Sequence, residues 1–162
     1  MQLRDATPDD AAAIAVIYSH LIVHTTFSFE ETPVSEADMT ARVDSVRQAG
    51  LPWLVAIVDG QIVAYAYATP WRVRPAYRFS VEASVYVAHD QARRGLGRAL
   101  YQALLECLRA TEVHLVIGGI ALPNDASIGL HESMGYKKVA HFNEVGYKFD
   151  RWLDVGYWQL AL

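Results

Sequence analysis

The feature that most constrains this chain is a short run of glycines and arginines, Ala92 to Arg98, between a predicted strand and a predicted helix. The strand covers roughly Phe79 to Ala88 and the helix Leu96 to Ala110. Two glycines in the run let the backbone turn tightly and approach a ligand closely. The helix start adds free amide groups and the positive end of the helix dipole. Together with the arginines, these features predict a site for a phosphate-bearing ligand.

Length and composition predict a single domain covering residues 1–162, of which 52% are hydrophobic and 20% charged. The formal net charge of -4 argues against general nucleic-acid binding, so the arginine cluster is a local feature. The lone cysteine, Cys107, excludes a disulfide within the chain, and we expect it to be a small buried core residue. We expect a cytoplasmic protein, because the N-terminus lacks a signal-peptide pattern and no stretch is typical of a membrane span.

The hydrophobic patterns predict the order β-α-α-β-β-β-α-β-α-β-β, an α/β fold with a mixed, largely antiparallel sheet. Thr7 is the predicted N-cap of the first helix and Ser35 that of the second, while Asn124 or Asp125 caps the last. Asp59-Gly60 between two apolar runs predicts a tight hairpin. The predicted strands are Leu3 to Ala6, Trp53 to Val58, Gln61 to Thr69, Phe79 to Ala88, Val113 to Ile120, Lys137 to Phe142 and Val155 to Leu162.

Three kinds of phosphate loop place glycines before a helix. The P-loop needs Gly-Lys-Ser/Thr, which this chain lacks. The dinucleotide fingerprint Gly-x-Gly-x-x-Gly/Ala is matched weakly, because Leu100 stands at its last position and no parallel βαβ pattern precedes it. The third pattern, Gln/Arg-x-x-Gly-x-Gly/Ala before an apolar helix, resembles the acetyl-CoA pyrophosphate loop of the GNAT N-acetyltransferase superfamily. Ala92 departs from it at the first position, and a solvated arginine-rich turn that caps a helix remains the alternative.

A second segment, Asn124 to Tyr136, is similar to another GNAT motif, in which an Asn side chain meets the pantetheine arm of coenzyme A. The resemblance implies a GNAT fold of about seven strands flanked by four helices, with acetyl-CoA as co-substrate. It also implies cofactor contacts from the loop, from the strand before it and from the second motif. These contacts are Val85, Tyr86, Val87, Arg93, Arg94, Gly95, Leu96, Gly97, Arg98, Asn124 and Ser127.

Further segments narrow the resemblance to the phosphinothricin and methionine sulfoximine acetyltransferase group. They are His24 to Phe27 with Glu30 to Pro33, Trp71-Arg72, Arg78 to Val87 and Val145 to Asp154. The resemblance thus covers nearly the whole chain. It implies acetyl transfer to the amino group of a small amino-acid analogue. The alternatives are another small amine or amino acid as acceptor, or a non-catalytic acyl-CoA-binding module.

Glu82 is the predicted general base. An amine attacks a thioester as the neutral species, so an amino-acid ammonium must first lose a proton. Glu82 lies mid-strand on the polar face, where partial burial would raise its pKa toward a useful range. It would act directly or through a water. The alternatives are an exposed strand glutamate or an ion pair with Arg72, Arg74 or Arg78.

The same resemblance implies donors for the thioester oxygen and a proton for the leaving thiolate. Backbone amides near Val85, Tyr86 and Val87 correspond to the strand that meets the thioester in the family. Many members carry a Tyr where this chain has His131, which predicts a proton donor there. The alternative is that His131 only packs or forms hydrogen bonds near the cofactor, and Ser127 is a weaker candidate for a polar contact.

The acceptor is predicted to meet the residues that precede Glu82. Guanidinium groups of Arg72 and Arg74 match a carboxylate or phosphinate in two-point contact, and Tyr77 lies close in sequence. Phe27 and Phe29 form an apolar wall or, alternatively, pack in the core or a lid.

Partners other than the small acceptor follow mainly from the family. Its members tend to form dimers, so we predict a homodimer, with no nucleic acid and no membrane as partner. The segment Lys148 to Asp154 suits a subunit interface or a pocket rim. We expect no metal, because the histidines lack ligand spacing with a partner acid.

Overall fold

The computed structural model describes residues 1–92 and 94–162, and Arg93 lies outside them. These residues form seven strands and four α-helices in the predicted order. The strands are β1 Gln2–Asp5, β2 Trp53–Val58, β3 Gln61–Pro70, β4 Ser80–Val87, β5 Leu115–Ala121, β6 Lys137–Lys148 and β7 Arg151–Ala161. The helices are α1 Ala11–His24, α2 Glu36–Gln48, α3 Leu96–Arg109 and α4 Asp125–Ser133. Among the described residues, no helix has the length and apolar character needed to cross a membrane.

All strands join one sheet in the order β1-β2-β3-β4-β5-β7-β6. Every neighbouring pair is antiparallel except β4 and β5, which are parallel. Side chains alternate between the two faces of the sheet, as the period of a strand requires. Leu54 and Ala56 of β2 pack with α3, whereas Trp53 and Val55 pack with α1 and α2. The sheet thus separates two buried cores and confirms the predicted fold class.

The predicted turn and the Ser35 cap are confirmed. Asp59 and Gly60 join β2 and β3 with φ of 50° and 78°, the left-handed conformation of the two-residue hairpin turn. Ser35 precedes α2 and its side chain accepts a hydrogen bond from the N–H of Asp38 at 3.1 Å.

The start of α1 differs in detail from the predicted Thr7 cap. A short 3₁₀ turn, Pro8–Asp10, precedes the helix. The buried Asp10 carboxylate accepts a hydrogen bond from the N–H of Thr7 at 2.8 Å and pairs with Arg4 at 2.7 Å. The acid is therefore the main capping side chain, because its two oxygens serve the turn and the guanidinium together.

The last two strands are much longer than the sequence indicated. β6 continues past Phe142 to Lys148, and β7 begins at Arg151 rather than Val155. Phe149 and Asp150 form the connecting turn with φ of 52° and 56°. The turn contains no glycine, so its sequence gave no hairpin signal. The segment Lys148 to Asp154 is thus the tip of a long hairpin.

The expectation that Cys107 is a buried core residue is wrong, because the residue is exposed. The buried stripe of α3 runs through Leu100, Leu104 and Leu108. Cys107 precedes Leu108 by one residue, which turns its side chain by about 100° around the helix axis and away from that stripe.

Candidate active site

The two parallel strands β4 and β5 diverge and open a cleft in the sheet. They pair only from Ser80 to Glu82 on β4 and from Leu115 to Ile117 on β5. Beyond these positions β4 continues to Val87 and β5 to Ala121, with no further pairing between them in the described residues. The opening forms part of a cavity of about 320 Å³. Strand backbone that is not used in the sheet ladder is available there for a ligand.

The predicted phosphate loop lies along this cleft. Gly95 has φ of 75° and is the N-cap of α3, a left-handed conformation that favours glycine. A β-carbon at Gly97 would lie 3.6 Å from Val87 Cγ2 and 3.7 Å from Leu130 Cδ2. A larger side chain at Gly97 would therefore extend between β4 and α4. The helix start and its amides border a space that can admit a long, narrow ligand.

Most predicted cofactor residues line the cleft. They are Val85, Tyr86, Val87, Arg94, Gly95, Leu96, Gly97, Asn124 and Ser127. Arg94 is hydrogen-bonded to the side chain of Gln91. Arg98 does not line the cleft, since its guanidinium donates to Ser133 Oγ at 3.1 Å and links α3 to α4. Arg93 was also predicted as a contact and lies outside the described residues.

Asn124 begins α4 at the far side of the cleft. Its Oδ1 accepts a hydrogen bond from the N–H of Ser127 at 3.1 Å, which makes it the helix N-cap. This role fixes the side-chain orientation of Asn124. Since the amide oxygen caps the helix, the amide NH₂ is the part of this side chain left to donate to a ligand.

His131 lines the cleft and belongs to a buried polar network. Its Nδ1 is 2.8 Å from the carbonyl of Ser127, and its Nε2 is 3.1 Å from Tyr101 Oη. Tyr136 in turn donates to Tyr101 Oη at 3.1 Å. A carbonyl can only accept, so Nδ1 donates and Nε2 accepts from Tyr101. Burial lowers the pKa of His131, and this arrangement fits a neutral ring.

Glu82 lies where the two strands begin to diverge. A β-carbon at Gly119 of β5 would lie 3.0 Å from Glu82 Oε1 and 3.1 Å from Tyr157 Cε1. Burial raises the pKa of Glu82 above its ordinary value. None of the arginines proposed as ion-pair partners reaches it, since no salt bridge among the described residues involves Glu82. A half-buried carboxylate with a raised pKa suits proton transfer better than an exposed one.

A second cavity, of about 460 Å³, meets the cleft at Gly119 and contains Glu82 in its lining. We call it the acceptor pocket. Phe27, Tyr86, Gly119 and Ala121 line both spaces, so a group in one can reach a group in the other. The remaining lining of the acceptor pocket is Tyr18, Ser28, Phe29, Glu30, Val155 and Tyr157.

Hydrogen bonds order the wall of the acceptor pocket that follows α1. Tyr18 Oη is 2.8 Å from Ser28 Oγ, and this Oγ also accepts from the N–H of Glu30 at 3.2 Å. The Glu30 carboxylate takes two hydrogen bonds from Arg42, at 2.9 and 2.6 Å, which hold the pKa of Glu30 below its ordinary value. Glu30 therefore stays ionised beside a pocket that also contains Glu82.

The three predicted acceptor contacts on the β3–β4 connection lie outside this pocket. Arg72, Arg74 and Tyr77 line a neighbouring cavity together with Trp71. Trp71 contacts Tyr157 edge to face, with ring centroids 5.6 Å apart, and the Arg72 guanidinium lies 5.1 Å from the Trp71 ring centroid. Arg72 is thus connected to the acceptor pocket by Trp71, which contacts the lining residue Tyr157. Phe27, the fourth predicted contact, lines the pocket itself.

Several pocket residues were not predicted. Tyr18 looked like part of the apolar stripe of α1, and Tyr157 lay in a strand with no distinguishing pattern. Glu30 belongs to a segment that resembles the acetyltransferase group, but no role was predicted for it. A carboxylate in a Thr- and Phe-rich loop after a helix is the sequence signal that could have identified Glu30. Its ion-pair partner Arg42 is twelve residues away in the chain, so the sequence did not indicate the pair. Within residues 1–92 and 94–162, no group of His, Cys, Asp or Glu side chains is arranged to hold a metal ion.

The sequence of residues 3–156 matches the family model of the acetyltransferase (GNAT) domain. A phosphinothricin N-acetyltransferase of Streptomyces viridochromogenes is 40% identical over 159 residues, which cover 98% of this chain and 86% of that protein. An L-methionine sulfoximine/L-methionine sulfone acetyltransferase of Pseudomonas paraeruginosa is 41% identical over 161 residues, covering 99% and 94% of the two chains.

Solved structures agree with this similarity. A ribosomal-protein-alanine N-acetyltransferase of Brucella melitensis superposes with a TM-score of 0.98 at 38% identity and covers 100% of both chains. A phosphinothricin acetyltransferase of Sinorhizobium meliloti in complex with acetyl-CoA has a TM-score of 0.97 at 35% identity, covering 99% of this chain and 88% of that one.

Proposed function

This chain belongs to the GNAT family of acetyl-CoA-dependent N-acetyltransferases, and we propose that its acceptor is the amino group of a small amino-acid analogue. The acceptor class is that of phosphinothricin, methionine sulfoximine and methionine sulfone, the compounds named for the relatives from Streptomyces viridochromogenes and Pseudomonas paraeruginosa. The observation that carries the proposal is the junction of the cofactor cleft and the acceptor pocket at Gly119, against which the Glu82 carboxylate lies.

The cleft fits acetyl-CoA on three grounds. It runs between diverging strands with unused backbone, it ends at the N-terminus of α3, and Gly97 leaves its wall open. Acetyl-CoA supplies the acetyl group as a thioester. We propose that residues 94–97 bind its pyrophosphate, that Asn124 and Ser127 meet the pantetheine arm, and that the backbone of Val85, Tyr86 and Val87 donates hydrogen bonds to the carbonyl to be attacked.

Glu82 is the proposed general base. Its carboxylate accepts a proton from the acceptor ammonium, directly or through a water, and leaves the amine neutral for attack. Burial supports this role because it raises the pKa of Glu82 toward that of a useful base. Glu30, held ionised by Arg42, supplies negative charge that attracts the ammonium into the pocket. Arg72 provides positive charge toward the acceptor carboxylate from the side of Trp71.

The test is an assay of coenzyme A thiol release with a panel of amines. We expect turnover with phosphinothricin, methionine sulfoximine and methionine sulfone. We expect little turnover with a polyamine, because the positive charge of Arg72 beside the pocket attracts an anionic group and repels a second cationic one. Glu82→Gln should lower kcat by about 10²- to 10⁴-fold and leave the Kd of acetyl-CoA unchanged. If coenzyme A thiol is released with an ordinary amino acid or another small amine, and with none of the three analogues, the proposed acceptor class is wrong and that amine takes its place. Unchanged turnover in Glu82→Gln would exclude Glu82 as the general base.

We also propose that the protein is a homodimer and that the second copy covers the β6–β7 hairpin. β6 is an edge strand of the sheet, and Phe142, Tyr147, Phe149 and Trp152 on this hairpin are 51–62% exposed. An apolar surface of this kind typically marks a protein interface. Sedimentation at micromolar concentration should give a dimer, and Trp152→Glu should shift it to monomer. A wild-type monomer would contradict the proposal. The cytoplasm remains the predicted compartment.

A further inference from the structure

Lys148 is a buried lysine that lines neither the cofactor cleft nor the acceptor pocket. It is the last residue of β6 and is 3% exposed. No salt bridge among the described residues pairs it with a carboxylate. A buried ammonium without an ion pair is costly unless hydrogen bonds compensate for lost hydration. Its partners therefore indicate its role.

Those partners are two backbone carbonyls more than a hundred residues earlier in the chain. Nζ donates to the carbonyl oxygen of Thr25 at 2.9 Å and to that of Ser28 at 2.7 Å. Hydrogen bonds from a charged donor are about twice as strong as neutral ones. Because the two carbonyls flank residues 26 and 27, one ammonium group holds both ends of this short stretch.

The stretch belongs to a wall of the acceptor pocket. Residues 27–30 all line that pocket. Ser28, whose carbonyl Lys148 holds, is also the residue whose hydroxyl joins Tyr18 and the N–H of Glu30. A displacement of Ser28 would therefore move two further pocket residues. We call residues 25–30 the acceptor wall.

A second contact joins the acceptor wall to the same strand. A β-carbon at Gly146 would overlap with the Phe29 ring at Cε2. The ring of Phe29 thus rests on bare backbone two residues before Lys148. The hairpin holds the wall through one polar contact and one steric contact.

We propose that Lys148 is a positioning residue that fixes the acceptor wall against the β6–β7 hairpin and thereby determines which amino-acid acceptors bind. The proposal rests on the acceptor pocket of the proposed function. Burial lowers the pKa of Lys148, and the negative charge of Glu31 and Glu30 opposes that shift, which favours a charged donor at neutral pH. Lys148 touches no reacting group and acts through Ser28, Phe29 and Glu30.

The test compares Lys148→Met with Lys137→Met, a substitution of an exposed lysine at the other end of the same strand. We expect Lys148→Met to raise the KM of the preferred acceptor by at least about tenfold, since misplaced positioning groups have effects of this size. It should also reduce the discrimination between that acceptor and other amino acids. The KM of acetyl-CoA should change by less than about twofold. Lys148→Arg, which keeps a charged donor, should recover part of the loss.

Hydrogen exchange provides a readout that does not depend on the acceptor. In Lys148→Met, amides of the acceptor wall should exchange faster, while those of the α3 start should not change. Unchanged exchange in the wall, or equal rises in the KM of both substrates, would overturn the proposal. If Lys148→Met does not fold, Gly146→Ala perturbs the same wall through Phe29 and should show the same split in KM. Absence of wild-type activity with every amine would overturn the proposed function instead, and the exchange result would still test the wall.

Discussion

The Glu82 carboxylate lies directly against the backbone of Gly119, so close that a β-carbon at position 119 would come within 3.0 Å of Oε1. This contact spans the point where β4 and β5 stop pairing. It brings the proposed base to the boundary between the cofactor cleft and the acceptor pocket. Glycine at 119 is the condition for that placement, because any side chain there would compete with the carboxylate for the same space.

Gly119→Ala should therefore lower kcat/KM by about 10- to 100-fold, the effect of a displaced catalytic group, without preventing folding. The carboxylate is the end of a flexible side chain and can move aside. Gly129→Ala is the matched control, since nothing lies within 4 Å of a β-carbon in that position of α4. It should leave activity unchanged and stabilise the protein by about 0.5–1 kcal/mol. Equal activity of the two variants would contradict the role of Gly119.

The pH dependence of the wild type should report Glu82. We expect kcat/KM to increase with pH along a limb whose apparent pKa lies above 4.5, the ordinary value of Glu. A raised pKa in the folded state means that folding favours the protonated acid, so the stabilising contribution is present at low pH and is lost as pH rises through the folded pKa. Glu82→Gln should abolish the limb and, at pH 8, melt at or above the wild-type temperature. A limb that persists in the variant would assign it to another group.

Tyr101→Phe and His131→Gln should together separate the two roles considered for His131, a structural role and proton donation. Tyr101→Phe leaves the buried Nε2 without its donor, which should destabilise the fold by about 1–3 kcal/mol. If His131 only organises the site, His131→Gln should reduce kcat by less than about tenfold, below the range of general acid catalysis. Because burial lowers the pKa of His131, its contribution to stability is present above pH 6.5 and is lost as pH falls through the folded pKa. Urea unfolding at pH 8 and pH 5 measures this stability contribution. A loss of kcat larger than about tenfold in His131→Gln would favour a proton donor.

Gly97→Leu should fill the cleft between Val87 and Leu130. We expect the Kd of coenzyme A to rise by at least about 100-fold, because a side chain would replace the ligand between β4 and α4. Circular dichroism should show an intact fold, since the added atoms enter the cavity rather than the core. Titration calorimetry gives the Kd, and wild-type affinity in this variant would exclude residues 94–97 as the pyrophosphate loop.

Arg72 and Arg74 should differ in their effect on the acceptor, although the sequence treats them alike. Arg72 lies over Trp71, which contacts Tyr157 of the acceptor pocket. We expect Arg72→Ala to raise the KM of anionic acceptors by about tenfold, because the variant removes a positive charge beside the acceptor pocket. Arg74→Ala should raise it by less than about threefold, within the range of an exposed charge. Wild-type KM values in both variants would place neither arginine near the acceptor, and equal increases in both would contradict the predicted difference.

Local sequence signals predicted the elements that depend on local chemistry. The order of strands and helices, the Asp59-Gly60 turn, the Ser35 cap and the glycine-rich start of α3 all follow from residues within one turn or one strand pair. The β6–β7 hairpin was underestimated because its turn, Phe149-Asp150, has no glycine. Cys107 was misplaced because one residue of helix rotation separates it from the buried stripe.

The sequence by itself determined the family, the co-substrate and the position of Glu82 on the polar face of its strand, because these rest on residues close together in the chain. Only the tertiary structure decided the acceptor side. Gly119 meets Glu82 across diverging strands, Arg42 holds Glu30, and Lys148 holds the carbonyls of Thr25 and Ser28 from 123 and 120 residues away. The first contact arises where β4 and β5 diverge, and the other two arise from the packing of α2 and the hairpin against the loop after α1. No periodicity within a segment encodes such pairs.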